Sequence, residues 1–308
     1  MRDFRFSTNV FSVESRQRFV STCRRAEELG YDVLFAADHL GTVAPFPLLV
    51  AAADATSRMR LGTLVLNAEF WNPALLAREI ATTDLLVDGR LEVGLGAGHM
   101  KWEFDTAGIE WRPLRTRASH LEELVVQLQR FLTMDFERLP EGVNAPRPVQ
   151  HVGFGGSGPP LLIGGTGHAL LEIAARHADS VGVAGVFQVK GRPPGTFRLA
   201  TAAEADERVG FARDRLGARA EQVEWHLLVQ AVVVTDERRA AGEDLLQRFG
   251  ATMSLDELLE TPYVLIGTLG EMADQLRAHR RRYGYSHVTV HGPYLETFAP
   301  VMSALRRA

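Results

Sequence analysis

The sequence predicts an eight-stranded (β/α) barrel, a TIM barrel, and three observations favour this fold class. Short β-branched or apolar runs alternate with longer segments of helical period, as parallel strands alternate with crossover helices. Eight such runs can be counted, which is the number of strands in the barrel. The length of 308 residues exceeds the roughly 250 that close one barrel. We therefore expect a single domain over residues 1–308, elaborated by insertion loops.

The predicted strands are distributed along the whole chain, and capping residues mark helices between them. Gly30 follows a helical run that ends at Leu29, and Asn72-Pro73 supplies an N-cap and a first-turn proline. Two more helices are expected at Leu255–Glu260 and Leu269–Tyr283, around the segment VLIGT. The strands are expected near residues 4–11, 32–36, 60–67, 91–95, 160–163, 180–186, 223–234 and 287–291.

Two segments do not fit a minimal barrel. Residues 133–159 are rich in Gly and Pro and lack helical period, and residues 190–196 form a second cluster of breakers, KGRPPGT. Long irregular segments in a compact domain are often lids or binding loops, but surface decoration explains them equally well. The sequence leaves both interpretations open.

Composition and charge exclude several classes of partner. The formal net charge is -4, so the chain lacks the basic footprint that a nucleic-acid backbone requires. Charged residues interrupt the amino terminus, and no long apolar run follows, so we expect a cytoplasmic protein without a membrane segment. Cys23 is the only cysteine, which forbids an internal disulfide and favours a packing role for that side chain.

In a barrel of this type the reacting groups come from the carboxyl ends of the strands and the loops that follow. His226 falls early in its predicted strand, and we expect it to be structural. The polar and small residues that follow the predicted strands are Asn9, Asp38, His39, Asn67, Gly96, Ala97, Gly98, His99, Gly164, Gly165, Thr166, Gly167 and His291.

The segment LLIGGTGHALLEIAARHAD carries the clearest local mechanism. A strand runs into Gly164–Gly167 and then into a helix, whose first N–H groups are unpaired and can bind an anion such as a phosphate. The alternative is a tight turn without a ligand, which the second glycine cluster, GLGAGH, makes less favoured. A dinucleotide fingerprint would instead lie on the first βα unit, so that interpretation is set aside.

Asp38-His39 places a carboxylate and an imidazole at the mouth of the predicted barrel. Histidine exchanges protons near neutral pH, and a neighbouring carboxylate can fix its tautomer. A metal hydrolase is the rival, but the sequence contains no H-x-H and no HExxH, so it would have to collect scattered ligands. Those ligands would be Asp38, His39, His99 and His291.

The motifs AEELGYDVLFAADH, LLVDGRLEVGLGAGH, PLLIGGTGHALLEIAARHAD and VLIGTLGEMADQLRAHRRRYGYSHVTV together resemble the luciferase-like monooxygenase superfamily. The resemblance covers nearly the whole chain. Within the superfamily the chain resembles the oxidoreductases that depend on the deazaflavin coenzyme F420. Enzymes that use flavin mononucleotide (FMN) share the same scaffold, so FMN is the alternative cofactor.

The resemblance implies roles for individual residues near the cofactor ring. Asp38 and His39 would contact the ring, and His39 would be a proton acceptor. A bulge in the third strand, often with a non-proline cis peptide, would support the ring at Leu64 and Val65, with Asn67 nearby.

Further along the chain, the resemblance assigns the two glycine clusters. Gly96, Ala97 and Gly98 would lie beside the pyrimidine part of the ring, and Gly164, Gly165, Thr166 and Gly167 would hold the phosphate. The chain departs from the related sugar-phosphate dehydrogenases at His99, where they have a glutamate proposed as an acid. We therefore do not transfer the sugar-phosphate substrate, and His99 is expected either to donate a proton or to shape the pocket.

The function expected from the sequence is hydride transfer between coenzyme F420 and an unidentified small organic substrate, with His39 and His99 as catalytic candidates and no metal ion. An FMN-dependent monooxygenase is the nearest alternative. A non-catalytic barrel that stores the cofactor and a metal-dependent hydrolase are the rivals from other classes. A homodimer is possible, because related barrels often pair through helices on one side.

Overall fold

The computed structural model of the chain describes residues 2–133, 145–250 and 253–306. Within them eight parallel strands close into a barrel, so the predicted fold class is confirmed. Each strand pairs with the next along the chain, and the first also pairs with the last. The barrel strands are β1 (Arg5–Val10), β2 (Val33–Ala36), β3 (Arg60–Thr63), β4 (Leu91–Gly96), β5 (Leu161–Gly165), β6 (Ser180–Val183), β7 (Glu224–Val229) and β8 (Tyr285–His291).

Helices connect these strands, and capping side chains fix several of their ends. The Asn72 side chain accepts hydrogen bonds from Ala74 N at 3.0 Å and Leu75 N at 3.2 Å, as its predicted N-cap role requires. The helices are α1 (Arg16–Leu29), α2 (Pro45–Ala53), α3 (Pro73–Leu86), α4 (Lys101–Ala107), α5 (Leu114–Thr133), α6 (His168–His177), α7 (Ala202–Leu216), α8 (Arg238–Phe249), α9 (Leu255–Glu260), α10 (Leu269–Tyr283) and α11 (Leu295–Arg306). The bounds predicted for α9 and α10 are confirmed.

Two predicted strands are longer in the sequence pattern than in the structure. β6 ends at Val183, and Val186–Gln188 pairs antiparallel with Phe197–Leu199 to form a hairpin. The run 223–234 makes two strands, because Ala231–Val234 leaves the barrel and pairs with Val264–Gly267. A continuous apolar run carries no signal for the point at which a strand changes its partner.

The third barrel strand has an interruption at Thr63, where β3 ends. A cis peptide bond joins Leu64 to Val65, and a short strand, Leu66–Asn67, then resumes pairing with Leu95 and Gly96 of β4. The interrupted strand and the non-proline cis peptide that the resemblance implied are therefore both present.

The two predicted insertions differ in how much of them can be described. Residues 134–144 of the 133–159 insertion lie outside the described residues. Residues 190–196 form the turn of the hairpin that follows β6. Among the described residues, no helix is long and apolar enough to cross a membrane.

The interior of the barrel is filled by side chains, several of them polar. The ring of Phe35 contacts the rings of His226 and His287 at 6.1 and 5.7 Å between centroids. Because two strands separate β2 from β7 in the sheet, the contact between Phe35 and His226 crosses the interior. His226 is buried, and its Nε2 lies 2.7 Å from Thr289 Oγ1, as expected for a structural residue.

Candidate active site

A histidine and a buried carboxylate meet at the carboxyl-end mouth of the barrel. His39 follows β2, and its Nδ1 lies 2.8 Å from Oε1 of Glu103, a residue in the first turn of α4. The same oxygen accepts a hydrogen bond from Leu40 N at 3.1 Å. The Glu103 side chain is 1% exposed and that of His39 is 28% exposed. Because an ionised carboxylate can only accept, Nδ1 of His39 is the donor in this hydrogen bond, and in the neutral ring Nε2 is then the nitrogen with the free lone pair.

Asp38 does not pair with His39. Its Oδ2 instead accepts hydrogen bonds from Trp71 Nε1 at 2.9 Å and from Asn67 N at 3.1 Å. Burial raises the pKa of Asp38, although these two donors oppose that shift. The neighbouring carboxylate that the sequence led us to expect beside His39 is thus Glu103, because Asp38 is used by Trp71 and Asn67.

The second candidate histidine, His99, lies beside the first. Its ring centroid is 5.2 Å from that of His39, and the two rings meet edge to face. Although the His99 side chain is open to solvent at the mouth, protein atoms surround its other sides and lower its pKa to about 4, with His39 and Arg117 adding to the shift. His99 is therefore uncharged near pH 7. A neutral ring can donate or accept a hydrogen bond, but it is not a strong acid.

Val65 and three glycines form the floor of the mouth. A Cβ built on Gly96 would lie 2.7 Å from Val65 Cγ2, and one on Gly94 would lie 3.0 Å from Val65 Cγ1. A Cβ on Gly164 would lie 3.8 Å from Val65 Cγ1. The backbone of Leu64 is held by a 2.8 Å hydrogen bond from its N–H to Ala36 O. The Val65 side chain therefore occupies space that the glycines of β4 and β5 leave open.

Asn67 carries an amide without a partner. Its side chain is buried, and Oδ1 accepts a hydrogen bond from Glu69 N at 3.2 Å, but Nδ2 has no hydrogen-bond partner within the described ranges. Gly98 lies against it with a φ of 70°, and a Cβ there would lie 2.5 Å from Asn67 Oδ1. Buried amides normally have partners, so a ligand carbonyl at this position fits the structure.

Arg117 of α5 holds the loop after β4. Its guanidinium donates to Ala97 O at 3.1 Å and also to Gly98 O, and it stacks on the Trp111 ring at 3.8 Å. The side chain is buried, so this arginine supports the loop beneath His99 and is not available to a ligand.

The predicted phosphate site separates into residues with different roles. A Cβ on Gly165 would lie 2.5 Å from Leu170 Cδ1, so this glycine is needed for packing of α6 on the barrel. The Thr166 hydroxyl donates to Ala184 O at 3.0 Å and Val186 O at 2.8 Å, which leaves only its backbone for a ligand. Gly167 is the N-cap of α6 and makes no side-chain cap, so the first amides of the helix are available to an anion.

Two further candidate residues, Asn9 and His291, lie together at the ends of β1 and β8. His291 Nδ1 is 3.1 Å from Asn9 Nδ2, and His291 Nε2 is 3.3 Å from Gln230 Oε1. Across the described ranges, no three His, Cys, Asp or Glu side chains come together as a metal site would require. The scattered-ligand hydrolase therefore has no ligand cluster in that part of the chain.

Sequence reasoning missed Glu103 and Arg117. Glu103 had a weak signal, because it lies four residues after His99 and acidic residues are common in a first helical turn. Arg117 had none, since a basic residue in an amphipathic helix is ordinarily assigned to the solvent face.

The closed barrel and the paired histidine and carboxylate at its mouth define the class of this protein as a (β/α) barrel enzyme. The chain belongs to the luciferase-like monooxygenase family, whose pattern it matches over residues 5–287. The membership that the motifs indicated is thus confirmed.

The proteins that this chain resembles in sequence include F420-dependent enzymes. The chain is 32% identical over 171 residues to the F420-dependent glucose-6-phosphate dehydrogenase of Amycolatopsis mediterranei, a match covering 50% of this chain and 49% of that relative. The chain thus spans about half the length of this relative. It is 27% identical over 325 residues to the enzyme of the same name from Intrasporangium calvum, with 92% of each chain covered.

A solved structure supports the fold independently. The coenzyme F420-dependent tetrahydromethanopterin reductase of Methanopyrus kandleri superposes with a TM-score of 0.72 at 17% identity, covering 98% of this chain and 97% of that one. At that identity the likeness concerns the fold alone.

Proposed function

We propose that this chain is an F420-dependent oxidoreductase that transfers a hydride between the deazaflavin and a small organic substrate. The observation that carries the proposal is the pair His39 and Glu103 at the mouth, where His39 Nδ1 lies 2.8 Å from a carboxylate oxygen. F420-dependent enzymes among the relatives support the choice of cofactor. When bound, the deazaflavin would supply the two-electron chemistry.

His39 is proposed to handle the proton that accompanies the hydride. Glu103 selects the tautomer of the neutral ring in which Nε2 can accept a proton, and it stabilises the positive charge that appears when Nε2 takes one up. Leu40 N donates to the same carboxylate oxygen at 3.1 Å and so fixes its position. Glu103 is thus a positioning residue that acts through His39. His99, uncharged near pH 7, is proposed to form hydrogen bonds at the mouth beside His39.

The residues that would hold the cofactor follow from the same geometry. Asn67 Nδ2 offers an unused buried donor to a ring carbonyl, and the Val65 side chain, packed against the glycines of β4 and β5, would support the ring. Asp38, Gly96, Ala97 and Gly98 would complete the ring site. The uncapped amino terminus of α6, approached across Gly164 to Gly167, would hold the phosphate.

FMN is the second candidate cofactor, because the family to which the chain belongs is named for its monooxygenases. Titration of the purified apoprotein with F420 and with FMN tests the choice, and we expect tighter binding of F420. A reversed preference would favour the monooxygenase. Tight binding of F420 without turnover of any substrate would favour a storage barrel.

The homodimer and the cytoplasmic location stay predictions. α3 leaves three leucines open to solvent, Leu75, Leu85 and Leu86, which are 51%, 53% and 57% exposed. Pairing of two copies through this helix would cover them.

A further inference from the structure

Apolar side chains line the mouth next to the two histidines. Leu40 follows His39 directly, Trp102 lies one turn from His99 at the start of α4, and each is 48% exposed. A Cβ built on Gly41 would lie 3.7 Å from the tip of the Trp102 ring, so the indole packs over the loop that carries Leu40. Soluble proteins rarely expose grouped large apolar residues without a binding role.

The hairpin after β6 brings another aromatic ring to the same place. The Phe197 ring lies 5.4 Å from that of His99, so the rings of His39, His99 and Phe197 form a continuous row. The hairpin turn also reaches this loop, since a Cβ on Gly195 would lie 3.3 Å from Met100 Sδ. Gly195 N donates to Gln188 Oε1 at 2.8 Å, which fixes the turn. The loop after β4 and the hairpin after β6 therefore hold this row of rings from its two sides.

Three basic residues near this row already have partners. Lys101 pairs with Asp105 at 2.6 Å, and Arg198 pairs with Glu204 at 2.5 Å. Arg117 is used by backbone carbonyl oxygens of the loop after β4. Lys190 and Arg192 belong to the exposed turn of the hairpin and not to the row. Within the described ranges the rings of His99 and Phe197 therefore have no unpaired cation stacked on them, and such a surface is poorly suited to a phosphate or carboxylate.

We infer that the substrate is a neutral aromatic molecule that binds against His99, Trp102 and Phe197, and not a sugar phosphate or another anion. Aromatic rings favour flat partners in offset or edge-to-face geometry, and an anion placed here would lose water without gaining a counter-charge. The inference rests on the proposed function, because it concerns the substrate of that same site.

The test uses the full chain, with and without saturating F420, and measures binding of three probes by equilibrium dialysis at pH 7. The probes are 2-naphthol, which is neutral, 2-naphthoate, which carries a carboxylate on the same rings, and glucose 6-phosphate. We expect 2-naphthol to bind at least about tenfold more tightly than 2-naphthoate, because burying an unpaired charge is costly. Tighter binding of 2-naphthoate or glucose 6-phosphate would overturn the inference, as would the absence of 2-naphthol binding.

Variants locate the bound probe. We expect Trp102→Ala and Phe197→Ala each to weaken 2-naphthol binding by roughly three- to tenfold, and Trp102→Phe to restore most of the loss. Val126→Ala trims a side chain of α5 that is 49% exposed, and it should leave 2-naphthol affinity unchanged. Unaltered affinity in both ring variants would place the probe elsewhere and overturn the inference.

The proposed function and the inferred substrate class can be overturned independently of each other. If F420 binds in the direct titration but 2-naphthol does not, the substrate class is wrong and the proposed cofactor stands. If F420 does not bind, the proposed function is wrong, and the probe measurements on the apoprotein still decide whether the aromatic row prefers neutral ligands.

Discussion

The two ends of the barrel differ in how their ionisable side chains are paired. At the amino-end bottom, Arg5 bonds to Glu224 at 2.8 Å and also to Glu92, while Glu224 lies 3.0 Å from His287 Nδ1. His287 Nε2 in turn lies 2.9 Å from Ser7 Oγ. At the mouth, by contrast, Asn67 Nδ2 has no partner within the described ranges, and His99 is open to solvent.

The difference shows which end is built for stability and which for a ligand. A satisfied buried network holds the strands in register, and its loss leaves a charge without a partner. An unused buried donor lowers stability slightly and is explained when a ligand supplies the missing acceptor. Substitutions at the bottom should therefore change the free energy of unfolding, and substitutions at the mouth should change binding and turnover.

The largest effect is expected at His39. His39→Asn removes the proton acceptor, so turnover of a substrate should fall by about 10² to 10⁴, the usual contribution of general acid–base catalysis. Affinity for F420, measured by titration, should change much less. Near-normal turnover at saturating cofactor would remove His39 from the mechanism.

Glu103→Gln is the companion variant, because the amide keeps the size of the carboxyl group but not its charge. It should lower turnover less than His39→Asn and shift the pH profile of kcat toward lower pH, since the protonated form of His39 loses its stabilising neighbour. A purely structural role for Glu103 would lower activity through unfolding and leave that profile in place.

At the bottom, Glu224→Gln should lower the free energy of unfolding by about 3 kcal/mol, because it breaks a buried ion pair and leaves Arg5 with one partner in place of two. Denaturant titration measures the loss. Glu14→Gln is the matched control, since Glu14 forms an ion pair with Arg18 that is mostly exposed and should contribute less than about 1 kcal/mol. Equal losses in the two variants would contradict a stabilising network at the bottom.

The same carboxylate should make stability depend on pH. Burial alone would raise the pKa of Glu224, but His287 and Arg5 outweigh it and hold that pKa well below its ordinary value. The unfolded chain then binds the proton more readily, so this contribution is present above the unfolded pKa of about 4.3 and declines as pH falls below it. Wild type and Glu224→Gln should differ most at neutral pH and converge in acid.

The strands and helices were predictable because their signals are local. Alternating apolar runs placed the eight barrel strands, and Asn72-Pro73 marked the start of α3, as the structure confirms. The hairpin over residues 186–199 was not predicted, since its two strands are three residues long and too short to show a period. The partner of Ala231–Val234 was not predicted, since two helices separate it from Val264–Gly267 in the chain.

The site was predictable in position but only partly in its contacts. Strand-end residues such as His39 and His99 do come together, with ring centroids 5.2 Å apart. The partner of His39 could not be read from the sequence, because Asp38 adjoins it in the chain while Glu103 adjoins it in space. The direction in which a side chain points after a strand is set by the backbone and not by the residue type.

The smallest and most local prediction separates two glycines that the sequence could not distinguish. Gly167 has a φ of −75°, and its nearest neighbour to a new Cβ is Leu114 Cδ2 at 4.0 Å, so Gly167→Ala should leave the fold intact. A methyl group there obstructs the approach of a phosphate to the first amides of α6, and F420 affinity should fall by roughly tenfold, or 1.4 kcal/mol. Gly165→Ala should instead lower the free energy of unfolding by about 1 to 3 kcal/mol, because its Cβ would overlap Leu170. Measuring both quantities on both variants tests the distinction. If Gly167→Ala binds F420 as tightly as the wild type, the amino terminus of α6 is a turn and not the phosphate site, and Asn67 would remain as the mouth residue with an unused donor for a ligand.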